Sequence, residues 1–146
     1  MAKMESSKET INTDKLELDN VSKMFFGLFT NANQTEPDLS AIYTTCIPEC
    51  IIVKKMVGTE IVYTLESFIA PRKTILSDGT LTEFEEQEIA EETKIIGNIA
   101  QRYSRYQKSG YLNGTYFDEY GHKFFQFVKT QDGWKINSLI WEDDRP

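Results

Sequence analysis

The chain has 146 residues, 40% of them hydrophobic and 12% aromatic, which suffices for a real core and excludes disorder as the main state. Sixteen basic against twenty-three acidic residues leave a net charge of −7, so nucleic-acid backbones and anionic membranes are not expected partners. The opening MAKMESSKET has no apolar run and no segment reaches about 18 consecutive apolar residues, which together predict a cytoplasmic chain with neither signal peptide nor membrane span.

Residues 1–13 are polar and aperiodic and read as a flexible tail, with residues 14–146 forming a single domain. Over residues 14–29, Leu18, Val21, Phe25 and Leu28 recur at helical spacing, and Asp14 with Glu17 has the form of a capping box. Pro37 opens a second, short helix carrying Leu39, Ile42 and Tyr43, which Pro48 stops. Ile51, Ile52 and Val53 predict a strand over residues 49–56, paired through Gly58 with residues 60–63. Thr64 is placed to cap a third helix that contains Pro71 and ends at Gly79.

Residues 81–92 hold six glutamates and by propensity alone would be helical. Residues 95–106 carry bulky side chains on both parities, as in a strand packed on two sides. After Asn113-Gly114, residues 123–130 read as a strand, and Gln131-Asp132-Gly133 turns into a last strand over residues 134–141. Helices gathered ahead of a meandering sheet indicate an α+β fold.

The single histidine, His122, excludes chemistry that needs two and reads as a solvated strand residue. Cys46 and Cys50 have no second ligand pair for zinc and read as small buried hydrophobes, a redox pair being the alternative. Glu142-Asp143-Asp144 reads as a solvated acidic exit from the sheet and not as a metal cluster. Neither a metal nor an organic cofactor is expected.

The element order and several strings resemble the nuclear transport factor 2-like superfamily, the cone-shaped fold of SnoaL-like cyclases and ketosteroid isomerases. The strings are Tyr63-Thr64 with Phe68-Ile69-Ala70-Pro71-Arg72, then Ala100-Gln101-Arg102-Tyr103-Ser104-Arg105-Tyr106. Phe125-Gln126-Phe127-Val128, Asp132-Gly133-Trp134-Lys135-Ile136 and Trp141-Glu142-Asp143-Asp144 complete them. The likeness is nearest to small bacterial members without an assigned function. It implies three helices packed on a curved, mostly antiparallel sheet of about six strands, and it makes residues 81–92 a long bent strand with its glutamates mostly solvated.

A cone implies a pocket, and the resemblance puts Trp141 on its wall, with Leu139 and Asn137 following by alternation. Gln126, flanked by Phe124 and Val128, and the set Ala100, Arg102, Ser104 and Tyr106 are expected to face the same space; a one-residue slip of that last strand would replace the set with Ile99, Gln101 and Tyr103. Tyr63 and Arg72 are expected near its mouth, and Phe25 inside. Arg102 either anchors a carboxylate or enolate or, as is commoner for buried arginine, pairs with a glutamate of the neighbouring strand. Tyr43 and Tyr106 can donate to an oxyanion or serve as core aromatics.

Where the steroid isomerases carry their catalytic Asp this chain has Val53-Lys54-Lys55; their second acid is matched by Gln126, and their oxyanion tyrosine by Phe25 or Phe26. All three departures weigh against isomerase chemistry. The epoxide hydrolases' Asp-Arg-Asp set is matched only in its Arg, and the two histidines of scytalone dehydratase are missing. Trp134, Ile136 and Ile140 are expected on the outer face of the sheet, covered by a second copy in a homodimer. The resulting expectation is a domain that binds a small apolar or carboxylate-bearing molecule. The alternatives are a lyase, isomerase or cyclase acting next to a carbonyl, and a non-catalytic interaction module whose pocket Phe25, Phe124 and Trp141 would fill.

Overall fold

The structure, a computed structural model, describes residues 2–145, with side chains from residue 8 onward. Helix α1 runs over Ala2–Gly27, α2 over Ile42–Thr45 and α3 over Leu65–Ile75, and two single 3-10 turns precede α2. The strands are β1 (Cys46–Met56), β2 (Thr59–Tyr63), β3 (Leu81–Ile96), β4 (Ile99–Leu112), β5 (Thr115–Thr130) and β6 (Gly133–Asp143). They form one unclosed sheet in the order β2-β1-β6-β5-β4-β3, in which only β1 and β6 run parallel. The expected α+β architecture is therefore present, with three helices on one face of a mixed sheet.

Among the expected tail residues, Met1 lies outside the description, and residues 8–13 continue α1 with exposed side chains. No apolar stripe announces that stretch; the helix propagates into it from the anchored turns that follow. Asp14 is thus not a cap. It is buried, and it accepts from Trp134 Nε1 and Lys129 Nζ, each at 2.9 Å, while Glu17 accepts from the Trp134 backbone N–H at 2.5 Å. The pair of acids fastens α1 to the β5–β6 turn. Gly133, at φ 97°, fits there because a Cβ would sit 2.6 Å from Glu17 Oε2.

Thr64 and Ser67 form the expected cap of α3, each side chain bonding the other's backbone N–H. Pro48 does not stop a helix; β1 has already begun at Cys46, and Pro48 falls in its irregular stretch opposite β6. The expected strand over residues 95–106 is present from Ile99 onward as the start of β4, whereas Ile95 and Ile96 end β3 and Gly97-Asn98 form a tight turn between the two.

Residues 81–92 are indeed strand, against their helical propensity. Pairing with β4 along nearly its whole length supplies the backbone partners, and the inward glutamates Glu86 and Glu88 meet Lys123 and Arg102. Those two are not solvated as expected. Asn31 bonds the backbone of Phe84 in both directions, at 3.0 and 2.7 Å, and its side chain donates to Leu76 and Leu81 carbonyls. This fixes the bulged start of β3 against the end of α1 and turns Phe84 inward.

Parity is where the sequence reading and the structure part. In β6, Trp134, Ile136, Leu139 and Trp141 are all buried, because a bulge at Asn137 puts two residues opposite one on β5 and shifts the alternation. Trp134 and Ile136 belong to the core under α1 and α2, and of the expected outer-face set only Ile140 is exposed. In β5 the buried residues are Gly121, Lys123, Phe125 and Phe127, so Gln126 and Phe124 point outward. Phe125 is held there by edge contacts with Phe25 and Phe26 of α1. The β4 set Ala100, Arg102, Ser104 and Tyr106 is buried, in the expected register.

Candidate functional site

Between α3, the end of α1 and the concave face of the sheet lies a cavity of about 510 Å³, a volume suited to a small organic molecule. Phe25 and Phe29 of α1, Phe68, Pro71 and Ile75 of α3, and Phe84, Leu112, Phe117, Leu139 and Trp141 of the sheet make its walls apolar. Tyr63 stacks near-parallel to Trp141 with centroids 6.4 Å apart, and Phe68 meets both rings edge-on. These rings close one side of the space with little conformational freedom.

Charged groups are set into this apolar surround. Four basic side chains, Lys54, Arg72, Lys108 and Lys123, line the cavity with three carboxylates, Glu86, Glu119 and Asp143. Lys123 reaches Glu86 at 3.1 Å and Lys108 reaches Asp143 at 2.9 Å, so two of the cations are neutralised in place. Burial pushes the Asp143 carboxyl up, but Lys108 and the Tyr106 hydroxyl outweigh it and hold the group below the usual carboxylate range. Burial, reinforced by Asp143, pushes the Tyr106 phenol far above its ordinary value, so it remains a donor. Burial also holds Lys123 below the ordinary lysine range, against the opposing pull of Glu86.

Arg72 differs from these pairs. Its guanidinium lies 3.7 Å over the Phe68 ring and 5.4 Å from the Tyr63 centroid, and Nη1 donates to the Phe68 carbonyl at 3.0 Å. Among the described residues no carboxylate lies within ion-pair distance of it; the Tyr63 hydroxyl and the more distant Glu86 attract it, and its five-donor planar fork has capacity beyond these and the Phe68 carbonyl. Lys54 likewise forms no ion pair among the described residues and sits 5.9 Å over Trp141.

Of the sequence candidates, Phe25, Tyr63, Arg72, Leu139 and Trp141 line the cavity. Tyr106 is fully buried beneath it, its hydroxyl donating to Asp143. Gln126 and Asn137 do not reach it; they edge a shallow depression on the opposite face of the sheet. Arg102 does not reach it either. It is buried under α1, held by Glu88 through Nε at 3.0 Å and Nη2 at 2.6 Å, with Nη1 on Asp19 at 2.7 Å and Thr93 at 3.2 Å. This is the structural pair with the neighbouring strand. Tyr43 is exposed, Cys46 and Cys50 are buried free thiols, and His122 is exposed beside Tyr103 and Asp144.

Asp143, read in sequence as part of a solvated exit, is instead turned into the cavity. Lys123 and Lys108 are not candidates in the sequence reading, and Glu86 enters it only among the solvated glutamates. The available signal was Lys123 sharing parity with Phe125 and Phe127, since a charge on an apolar parity must find a partner inside. Among the described residues no three metal-ligating side chains cluster, and no helix is long and apolar enough to cross a membrane.

No protein-family model matches the chain, and no curated protein does. Solved structures do. A nuclear transport factor 2-like superfamily protein of Salmonella enterica serovar Typhimurium superposes with a TM-score of 0.76 at 14% identity, over 93% of this chain and 94% of its own. A conserved protein of Planctomyces limnophilus gives 0.75 at 14% identity, over 91% and 98%. A nuclear transport factor 2-like protein with a cystatin-like fold from Novosphingobium aromaticivorans gives 0.72 at 12% identity, over 94% and 86%. At these identities the likeness is one of fold, and the fold is the nuclear transport factor 2-like cone.

Proposed function

We propose that this chain is a small-molecule-binding protein whose cone cavity takes an apolar, ring-bearing molecule with one anionic group, the anion meeting Arg72. The observation that carries this reading is a guanidinium set among three aromatic rings at a 510 Å³ cavity without a carboxylate partner among the described residues. Such a group is stabilised by a ligand that brings the missing charge. Lys54 across Trp141 adds a second positive charge. An interaction module with a filled pocket is less well supported, because Phe25 and Trp141 border open space and Phe124 points away from it.

The test is a calorimetric titration with 2-naphthoate and with its uncharged analogue 2-naphthalenemethanol. The expected result is tighter binding of the acid, and a loss of roughly tenfold or more for the acid alone in Arg72→Leu. Equal affinity of the acid for both proteins contradicts the assignment of Arg72.

The protein acts as a homodimer through the outer face of the sheet. The face is built by a different set of residues from that expected: Val62, Val53, Ile140, Phe124 and Tyr103 lie in one cross-strand row from β2 to β4. Phe124 is 51% exposed and Val62 64%, while the flanking row Glu142, His122 and Arg105 is polar. An apolar row with a polar rim has the anatomy of a subunit interface.

A further inference from the structure

Lys123 and Arg102 are the buried basic residues among those described, and their surroundings differ. Arg102 is saturated by carboxylates away from the cavity, whereas the Lys123 amine borders it with Glu86 alone at 3.1 Å. Its nearest other neighbours are aromatic, the centroids of Phe26, Tyr106 and Phe25 lying 4.6, 5.0 and 5.3 Å from Nζ, while Lys108 and Asp143 act on it with opposite sign from farther away. The Glu86 side chain is only 10% exposed, so the pair is shielded from bulk water. A primary amine at the edge of a ligand-sized apolar space, with one adjacent carboxylate able to exchange protons with it, is the arrangement that amine–carbonyl condensation needs.

We infer that Lys123 is a carbonyl-capturing amine, which condenses with an aldehyde carried on an apolar molecule in the cavity to form a Schiff base. This rests on the ligand-binding reading above, since the same cavity must hold the aldehyde. Glu86 takes one proton from the Lys123 ammonium, freeing the lone pair on Nζ. The lone pair adds to the carbonyl carbon as the C=O π pair moves to oxygen, which takes that proton back from Glu86. Glu86 then removes a second proton from nitrogen and delivers it to the carbinolamine hydroxyl. Water leaves as the nitrogen lone pair closes the C=N bond. One ammonium and one aldehyde give one protonated imine and one water, and the imine keeps the ion pair with Glu86. The apolar shell that disfavours the ammonium favours the free amine needed for attack, and burial lowers the Lys123 pKa in the same sense.

The experiment incubates the whole protein with 6-formyl-2-naphthoate and cyanoborohydride, which reduces the imine to a stable secondary amine, and assigns the adduct by peptide mass spectrometry. The expected result is modification at Lys123 roughly tenfold faster than at the exposed Lys55 or Lys73, owing to residence of the aldehyde beside the amine, and suppressed by excess 2-naphthoate. Lys123→Arg is expected to lose the fast adduct. Adducts confined to exposed lysines in a protein that does bind 2-naphthoate overturn the amine's role and leave the binding reading standing. Neither 2-naphthoate binding nor a Lys123 adduct overturns both. The measurement on the unmodified sequence decides the matter even where a Lys123 variant does not fold.

Discussion

Arg102 and Lys123 are both basic side chains on the concave face of the sheet, and the number of carboxylates around each separates their roles. Arg102 has Glu88 in a two-point contact, Asp19 from α1 and Glu91 at 3.7 Å, and Ser104 bonds Glu88 from below. Removing the arginine leaves carboxylates facing one another in a partly dry site. Arg102→Ala is therefore expected to cost about 3–5 kcal/mol in urea unfolding, with the 2-naphthoate affinity of the folded fraction unchanged. Loss of affinity without loss of stability would return Arg102 to the ligand. The two possible fates of Arg102 were legible in sequence, but the choice between them depends on α1 bringing Asp19 across from a position 83 residues away.

At the scale of the elements, β5 shows how a small residue makes room for a functional layer. Tyr106 of β4 lies opposite Gly121, and its hydroxyl occupies the space a side chain there would fill on its way to Asp143. A Cβ at Gly121 would collide with the Tyr106 hydroxyl and lie 2.7 Å from the Glu142 carbonyl oxygen. Gly121→Ala is expected to destabilise the fold by about 1–3 kcal/mol and to disturb the Asp143–Lys108 pair, seen as a lowered melting temperature and altered near-ultraviolet circular dichroism. A variant as stable as the parent would show that the β4–β5 spacing is softer than described.

The same strands mark the limit of what alternation can predict. Helix α1 from Leu18, the cap at Thr64, and the turns at Asn113-Gly114 and Asp132-Gly133 were readable because each has a local cause. The inner set of β6 was not, because one extra residue at Asn137 reverses the phase midway and carries no distinctive composition. In β5, Phe124 competes with Phe125 and Phe127, so hydrophobicity alone could not choose the face. The mouth of the cavity, at Tyr63, Arg72 and Trp141, was readable through the family resemblance; its floor was not.

For the molecule as a whole, the concave face holds the cavity and the convex face carries the apolar row. The chain's charge of −7 opposes contact between copies elsewhere on the surface, so the proposed pairing would rest on that row. Phe124→Asp places a charge at its centre without touching the cavity, and sedimentation is expected to show a dimer for the parent and a monomer for the variant. A dimer in both would mean that subunits meet elsewhere. The central claim, that the cone binds an aromatic anion, is tested most directly by amide chemical-shift mapping of the ¹⁵N-labelled protein with 2-naphthoate. The account predicts shifts concentrated at Lys54, Tyr63, Arg72, Lys123 and Trp141. Shifts centred on Phe124 and Ile140, or none at millimolar ligand, would contradict it.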